Sequence, residues 1–231
     1  MSIVLAIETS ADLASAALLR NDELIVRESA GVKTHSQTIL PLVQQLLAEA
    51  GLGLKQCDAI AFGCGPGSFT GVRTACGIVQ GLAFGAALPV VPVVTLMAMA
   101  EACRREHGVA DVLSVLDARM GEVYWAQYRF DGLWREVVAP SLSNAQAVAP
   151  QGKVVACGNG LEAYAQAFAG ADFLPGALTR IVPHARDVAR LAQALFASGA
   201  AVAARDAQPL YLRNKVALTT AERSQKTEAA A

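Results

Sequence analysis

"VLAIETSADLASAALLRND" fills residues 4–22, and "VLSVLDARMGEVYWAQYRFDG", residues 112–132, echoes it. Each copy opens with an apolar run that ends on an acid, Glu8 in the first and Asp117 in the second. A short polar turn follows, then a second run, then a turn carrying an aspartate. Short apolar runs separated by tight turns read as strands paired in hairpins. Little identity survives between the copies, yet the order of elements repeats. That order predicts an α/β protein of two lobes with similar topology, the first over residues 1–103 and the second over 104–215.

Outward from the first hairpin, Asn21-Asp22 turns into a further strand, "ELIVRESA" (23–30). "TILPLVQQLLAEAG" (38–51) reads as a helix capped by Thr38, with Pro41 in the first turn and Gly51 at the end. "CDAIAFG" (57–63) is a buried strand, "TGVRTACGIVQGLAFGAA" (70–87) a helix capped by Thr70, "LPVVPV" (88–93) a strand and "TLMAMAEACRREHG" (95–108) a helix. Beyond the second hairpin, "KVVACGNG" (153–160) is a strand running into a turn. "LEAYAQAFAG" (161–170) and "HARDVARLAQALFASG" (184–199) read as helices. After "PLYLRN" (209–214) periodicity fades, and 216–231 reads as a disordered tail.

The bulk numbers exclude several classes. Hydrophobic residues make up 54% of the 231 and charged ones 17%, with a mean hydropathy of +0.37. Soluble chains average about one quarter charged, so much surface should be hidden in a core or against a partner. A net charge of −1 gives no overall basic field, and tight nucleic-acid binding by this chain alone is not expected. Cys57, Cys64, Cys76, Cys103 and Cys157 are scattered and odd in number. They read as buried thiols in a reducing cytosol, not as a disulfide framework or zinc site. The amino terminus lacks the basic flank of a signal peptide. Residues 74–100 carry no charge and are long enough to span a bilayer. Pro89 and Pro92 divide them into helix, strand and helix, which predicts a soluble cytoplasmic protein with no membrane contact.

"AFGCGPGSFTGVR" (61–73) invites comparison with phosphate-binding loops and fails it. A P-loop needs a lysine after its last glycine, and residues 65–71 contain none. In a dinucleotide fingerprint Gly63 and Gly65 fit, but Ser68 stands where the third glycine belongs, and no acid occurs between Arg73 and Glu101. The stretch reads instead as a turn that launches a helix. On that helix Gly77, Gly81 and Gly85 share a face, with Thr74 beside them. Each interior glycine costs about 1 kcal/mol relative to alanine, and close approach of another element would compensate. That element is either the protein's own sheet or a partner helix. The first helix shows an apolar arc of roughly 160°, built from Ile39, Leu40, Leu42, Val43, Leu46 and Leu47, wider than the ~100° one core contact needs. Ile39, Leu42, Val43, Leu46, Thr74, Gly77, Gly81 and Gly85 are therefore the candidate interface residues. His35, His107 and His184 have no metal-binding spacing and read as surface or cap residues.

Taken together, "VLAIETS", "GPGSFTGVR", "QGLA", "DARMGEVYWAQY" and "PLYLRN" resemble the TsaB (YeaZ) family over residues 3–214. The resemblance implies an actin-like, hexokinase-like ATPase fold, a duplicated ribonuclease H-like architecture. It also implies a role in threonylcarbamoyladenosine modification of tRNA, as the non-catalytic partner of the paralogue TsaD. The chain would pair with TsaD as a heterodimer, recruit TsaE, form a homodimer when alone and meet tRNA only through the complex. No cofactor would be held tightly, although ATP or ADP could sit at the complex interface. In actin-like ATPases and sugar kinases the strand–acid–turn hairpins wrap nucleotide phosphates, which makes Glu8, Thr9, Ser10, Asp117 and Arg119 candidate cofactor ligands; solvated hairpin acids are the other reading. TsaD-like proteins carry a metal-binding H-x-x-x-H after the "PV" strand. Thr95 and Met99 hold those places here, which implies a pseudo-enzyme with no catalytic residue and no metal. A free-standing ATP-dependent kinase and a metallopeptidase of the same fold are the rival readings.

Overall fold

The computed structural model describes residues 2–29 and 34–213. The first hairpin forms as its sequence suggests. β1 (Ile3–Glu8) pairs antiparallel with β2 (Ala14–Arg20), placing Ile7 opposite Ala16. β2 turns into antiparallel β3 (Glu23–Ser29) through Asn21, whose φ of +58° lies in the left-handed region asparagine tolerates. α1 (His35–Glu49) leads to β4 (Ala59–Gly65), parallel to β1, and α2 (Phe69–Ala86) leads to β5 (Val90–Val94), parallel to β4. The sheet order is β3-β2-β1-β4-β5.

α3 (Thr95–His107) carries the chain to a second sheet. There β6 (Asp111–Asp117), β7 (Glu122–Phe130) and β8 (Trp134–Asn144) form an antiparallel meander, and β9 (Val155–Cys157) lies parallel to β6. Its order, β8-β7-β6-β9, repeats the first four strands of the first sheet. The duplication read from the two hairpins thus extends to four strands of each mixed sheet, and β5 has no counterpart among the described residues. One turn of helix, α4 (Gly160–Ala163), and the longer α5 (Ala185–Ala197) complete the elements used below.

Because side chains alternate across a strand, β1 feeds two cores. Leu5 and Ile7 meet α1 and α2 on one face, through Ile39, Val43, Leu46, Ala75 and Val79. Val4 and Ala6 meet α5 on the other, through Val188, Ala189 and Ala192. This corrects the lobe boundary expected at 103/104. α5 belongs to the first lobe, Val202 bridges to Val90, and Leu210 donates its amide to the Cys64 carbonyl at 2.7 Å. α3 sits between the sheets, with Leu96 and Met99 packed against Val112, Leu116 and Tyr128. The first lobe is therefore discontinuous in sequence.

Other local expectations also shift. α1 starts at His35, so Thr38 is an interior residue whose hydroxyl donates to the carbonyls of Thr34 and His35 at 3.3 and 3.2 Å. Pro41 consequently lies inside the helix on its exposed side, where solvent can satisfy the freed carbonyl. Ser68, not Thr70, caps α2, accepting from Gly71 N at 3.4 Å. The helix expected over 161–170 shrinks to α4, since so short a segment has little stability without packing along its length. β8 was not legible, because Pro140 interrupts it; at the edge of a sheet a proline is tolerated. The expected tail, 216–231, lies outside the described residues.

One buried acid gives α5 a pH signature. Asp187, in its first turn, is 2% exposed and its Oδ2 has no hydrogen-bond partner among the described residues. Burial pushes its pKa up to about 6, against the pull of Arg186 and Arg190 and with help from Glu101 and Glu106. The fold thus holds this proton more tightly than the unfolded chain does. The ionised form is a cost that is absent near pH 4, grows between pH 4 and 6, and stays above that. Asp187→Asn is expected to raise stability by up to about 3 kcal/mol at pH 8 and by almost nothing at pH 4. Denaturant unfolding at the two pH values checks this; a difference that does not change with pH would contradict it.

Candidate functional site

A cavity of about 670 Å³ opens between the lobes. Its walls are the β1–β2 turn, the starts of α1 and α2, the β6–β7 turn and the segment from Leu210 to Arg213. The two hairpin turns read from the sequence therefore do meet across one space. What they present to it differs from expectation.

Glu8 is fully buried. Its Oε1 accepts the Ser10 amide at 2.5 Å, its Oε2 has no hydrogen-bond partner among the described residues, and Gly63 lies so close that any side chain there would strike the carboxyl. Burial raises its pKa, with the Ser10 contacts opposing. Thr9 is equally buried and donates its hydroxyl to Gly71 O at 2.7 Å. Both residues are packed beneath the start of α2 and drop out of the set of candidate cofactor ligands. Of that set, Ser10, Asp117 and Arg119 line the cavity. Ser10 is itself 4% exposed.

The second turn is largely occupied by its own contacts. Asp117 Oδ1 accepts from Arg119 N at 2.7 Å and from Tyr164 OH at 2.8 Å, and the Arg119 guanidinium stands 3.2 Å from Oδ2. This favours the reading of Asp117 as a hairpin acid that organises its turn. The first turn has a similar organiser that the sequence hid. His35 lies 3.1 Å from each of the carbonyls of Thr9 and Asp12, so one imidazole ties the start of α1 to the β1–β2 turn. His184 is a cap, accepting from Arg186 N at 3.0 Å, and His107 is exposed at the end of α3.

The glycines of "GPGSFTG" now have a physical reason. A Cβ on Gly71 would overlap the Thr9 carbonyl oxygen and stand 2.9 Å from the Thr9 carbonyl carbon; one on Gly67 would stand 2.7 Å from Ser10 Cβ. The stretch seats the end of α2 directly on the β1–β2 turn, backbone against backbone. At the cavity rim, the Arg73 guanidinium lies 3.5 Å above the Phe69 ring and donates from Nε to Tyr211 OH at 2.7 Å. No sequence spacing pointed to this trio, because Tyr211 is remote in the chain.

Thr95 and Met99 are both fully buried. Thr95 Oγ1 accepts from Gly65 N at 3.1 Å, and Met99 packs beside Gly158. Among the described residues no group of three or more His, Cys, Asp or Glu could hold a metal ion. Purified protein is expected to carry no stoichiometric zinc or iron by elemental mass spectrometry. A transition metal retained at one per chain after chelator washing would contradict this. The five cysteines are free and buried, and burial pushes the Cys64 thiol up to about 12. No helix among the described residues is long and apolar enough to cross a membrane.

The candidate interface divides in two. Ile39, Leu42, Val43 and Leu46 point inward and belong to the first-lobe core, so they are withdrawn. The wide arc of α1 is used up by its own sheet, with Leu40, 41% exposed, as the apolar residue left outside. The α2 face is different. Gly77, Gly81 and Gly85 are exposed, and a Cβ added to any of them would find nothing within 4 Å among the described residues. Thr74, half-buried beside them, donates its hydroxyl to Thr70 O at 2.9 Å, and Phe84 is 83% exposed.

A family model described as TsaD, tRNA N6-adenosine threonylcarbamoyltransferase, matches residues 20–228. The chain is 39% identical over 221 residues to the tRNA threonylcarbamoyladenosine biosynthesis protein TsaB of Escherichia coli (strain K12), covering 93% of this chain and 96% of that one. It is 38% identical over 229 residues to the TsaB protein of Haemophilus influenzae, covering 92% and 94%. Among solved structures, YeaZ from Pseudomonas aeruginosa superposes with a TM-score of 0.82 at 38% identity, over 92% of this chain and all of that one.

Proposed function

The chain belongs to the TsaB (YeaZ) family of tRNA threonylcarbamoyladenosine biosynthesis proteins, and we propose that within this pathway it is the partner and not the catalyst. On this reading it pairs in the cytoplasm with TsaD, the threonylcarbamoyl transferase, recruits TsaE, and touches tRNA through the assembled complex. Alone, it pairs with a second copy of itself.

The bare glycine face of α2 carries the proposal. Three exposed glycines on one helix destabilise the free chain by about 1 kcal/mol each relative to alanine, and nothing among the described residues lies within 4 Å of a Cβ built on any of them. Glycine at such positions lets a second helix approach to backbone distance, and Phe84, on the same helix and 83% exposed, adds apolar surface. The absence of imidazole at Thr95 and Met99 supports the non-catalytic half of the reading. So do the hairpin acids: Glu8 is sealed under α2, and Asp117 is held by Tyr164 and Arg119, so neither stands free as a base. For nucleotide, the interlobe cavity offers Ser10 and Arg119; on this reading the chain holds no cofactor tightly, and ATP or ADP would sit at the interface of the complex.

Co-expression with TsaD from the same organism, followed by size-exclusion chromatography, tests the pairing. A one-to-one complex at the expected mass supports it. Elution of the two chains as separate species at micromolar concentration would contradict it.

A further inference from the structure

The β6–β7 turn adopts an expensive shape. Arg119 and Met120 have φ of +63° and +60°, followed by Gly121 at +83°. Neither of the first two is a residue that visits this region readily, and such conformations persist only where surrounding contacts enforce them. The second lobe braces the base of the turn, where Asp117 Oδ1 accepts from Arg119 N and Ala118 N donates to Glu122 O, but leaves its tip open, with Met120 73% exposed. A further brace comes from a segment distant in the chain. Arg213 Nη2 donates to Ala118 O at 3.0 Å and to Glu122 Oε2 at 2.6 Å, gripping both sides of the turn, and its Nη1 lies 3.7 Å from the Met120 sulfur. Its side chain is only 16% exposed.

The same short segment is fastened to the first lobe at its other end. Leu210 donates its amide to Cys64 O at 2.7 Å, prolonging the end of β4, and its side chain joins the first-lobe core. Tyr211 takes the Arg73 hydrogen bond and lies with its ring centroid 6.1 Å from that of Phe69 at the start of α2. All four residues, 210 to 213, wall the interlobe cavity. We propose that Leu210–Arg213 is a strap that sets the closure of the two lobes, with Arg213 as its clasp on the β6–β7 turn. The strap is a property of the single chain and does not depend on the partner proposed above. Releasing the clasp lets the turn relax out of its left-handed conformation and lets the second lobe swing about α3.

Amide hydrogen exchange on the full chain tests this, comparing wild type with Arg213→Ala and Glu122→Gln. The reporters are the amides of Ala118 and Glu122, bonded to Glu122 O and Arg119 O, and that of Leu210. In Arg213→Ala these should exchange about tenfold faster or more, as locally opened segments do, while amides of β1 and β4 keep their wild-type rates. Glu122→Gln, which keeps the Ala118 contact, should accelerate the same amides by a smaller factor, about threefold, and decides the matter should the alanine variant fail to fold. Rates in both the turn and Leu210 within twofold of wild type would overturn the strap. So would an equal acceleration throughout both sheets, because Arg213 would then be a general stability contact.

Discussion

Gly81→Leu is expected to leave the monomer folded, with an unchanged or higher melting temperature, and to abolish association with TsaD and with a second copy. A Cβ at position 81 meets nothing within 4 Å among the described residues, so no overpacking is expected where the new side chain leaves the helix. Leucine is the better helix former by about 1 kcal/mol, which in a domain of this size corresponds to a rise of about 2–4 °C. The cost falls on the complex. An isobutyl group at the middle of the strip would hold the partner helix away from the backbone at Gly77, Gly81 and Gly85. A central clash of this kind in an interface of about 800 Å² per partner costs several kcal/mol, a loss of about a hundredfold or more in affinity. Thermal melts and size-exclusion runs separate the two effects. A folded Gly81→Leu protein that still co-elutes with TsaD would move the interface off this face.

Gly71→Ala, ten residues earlier on the same helix, is expected to do the reverse. Its methyl group would enter the Thr9 carbonyl, a backbone group tied into β1 and the β1–β2 turn. Neither side can yield as a flexible side chain would, so α2 must lift off the turn. The expected loss is about 3 kcal/mol or more, at the top of the range for overpacking, against a gain of about 1 kcal/mol from alanine's helix propensity. Gly77→Ala is the matched control, with open space at the site, and should be neutral or stabilising. Chemical denaturation of the pair gives the answer; equal stabilities for the two variants would mean that α2 does not sit on the turn as described.

The contrast between Gly71 and Gly81 also shows what the sequence could carry. Both are helix glycines preceded by a polar residue and followed by an apolar one, Thr70 and Val72 for the first, Gln80 and Leu82 for the second, and pattern alone cannot say which one meets backbone and which meets solvent. The duplicated sheet was legible because an acid-ended strand followed by a turn leaves a local mark that repeats at Glu8 and Asp117. The return of α5 to the first lobe was not, because its stripe of Val188, Ala189 and Ala192 announces an apolar contact without naming the sheet. For the same reason Ile39, Val43 and Leu46 looked available to a partner: an arc of leucines on α1 is equally suited to its own sheet. The candidate ligands failed at Glu8 and Thr9 for a related cause, since burial beneath α2 depends on Gly63 and Gly71 lying opposite in space. Contacts between distant segments, such as Tyr211 with Arg73 and Arg213 with Glu122, leave no periodic trace at all.

Transfer of the threonylcarbamoyl group from threonylcarbamoyl-adenylate to tRNA, with release of AMP, reconstituted with TsaD, TsaE and ATP in the presence and absence of this chain, tests the central claim most directly. The partner reading predicts no transfer by this chain without TsaD and a large stimulation when wild-type chain is added to TsaD. It also predicts no stimulation by folded Gly81→Leu. Transfer by this chain without TsaD, or equal TsaD activity with and without it, would contradict the account.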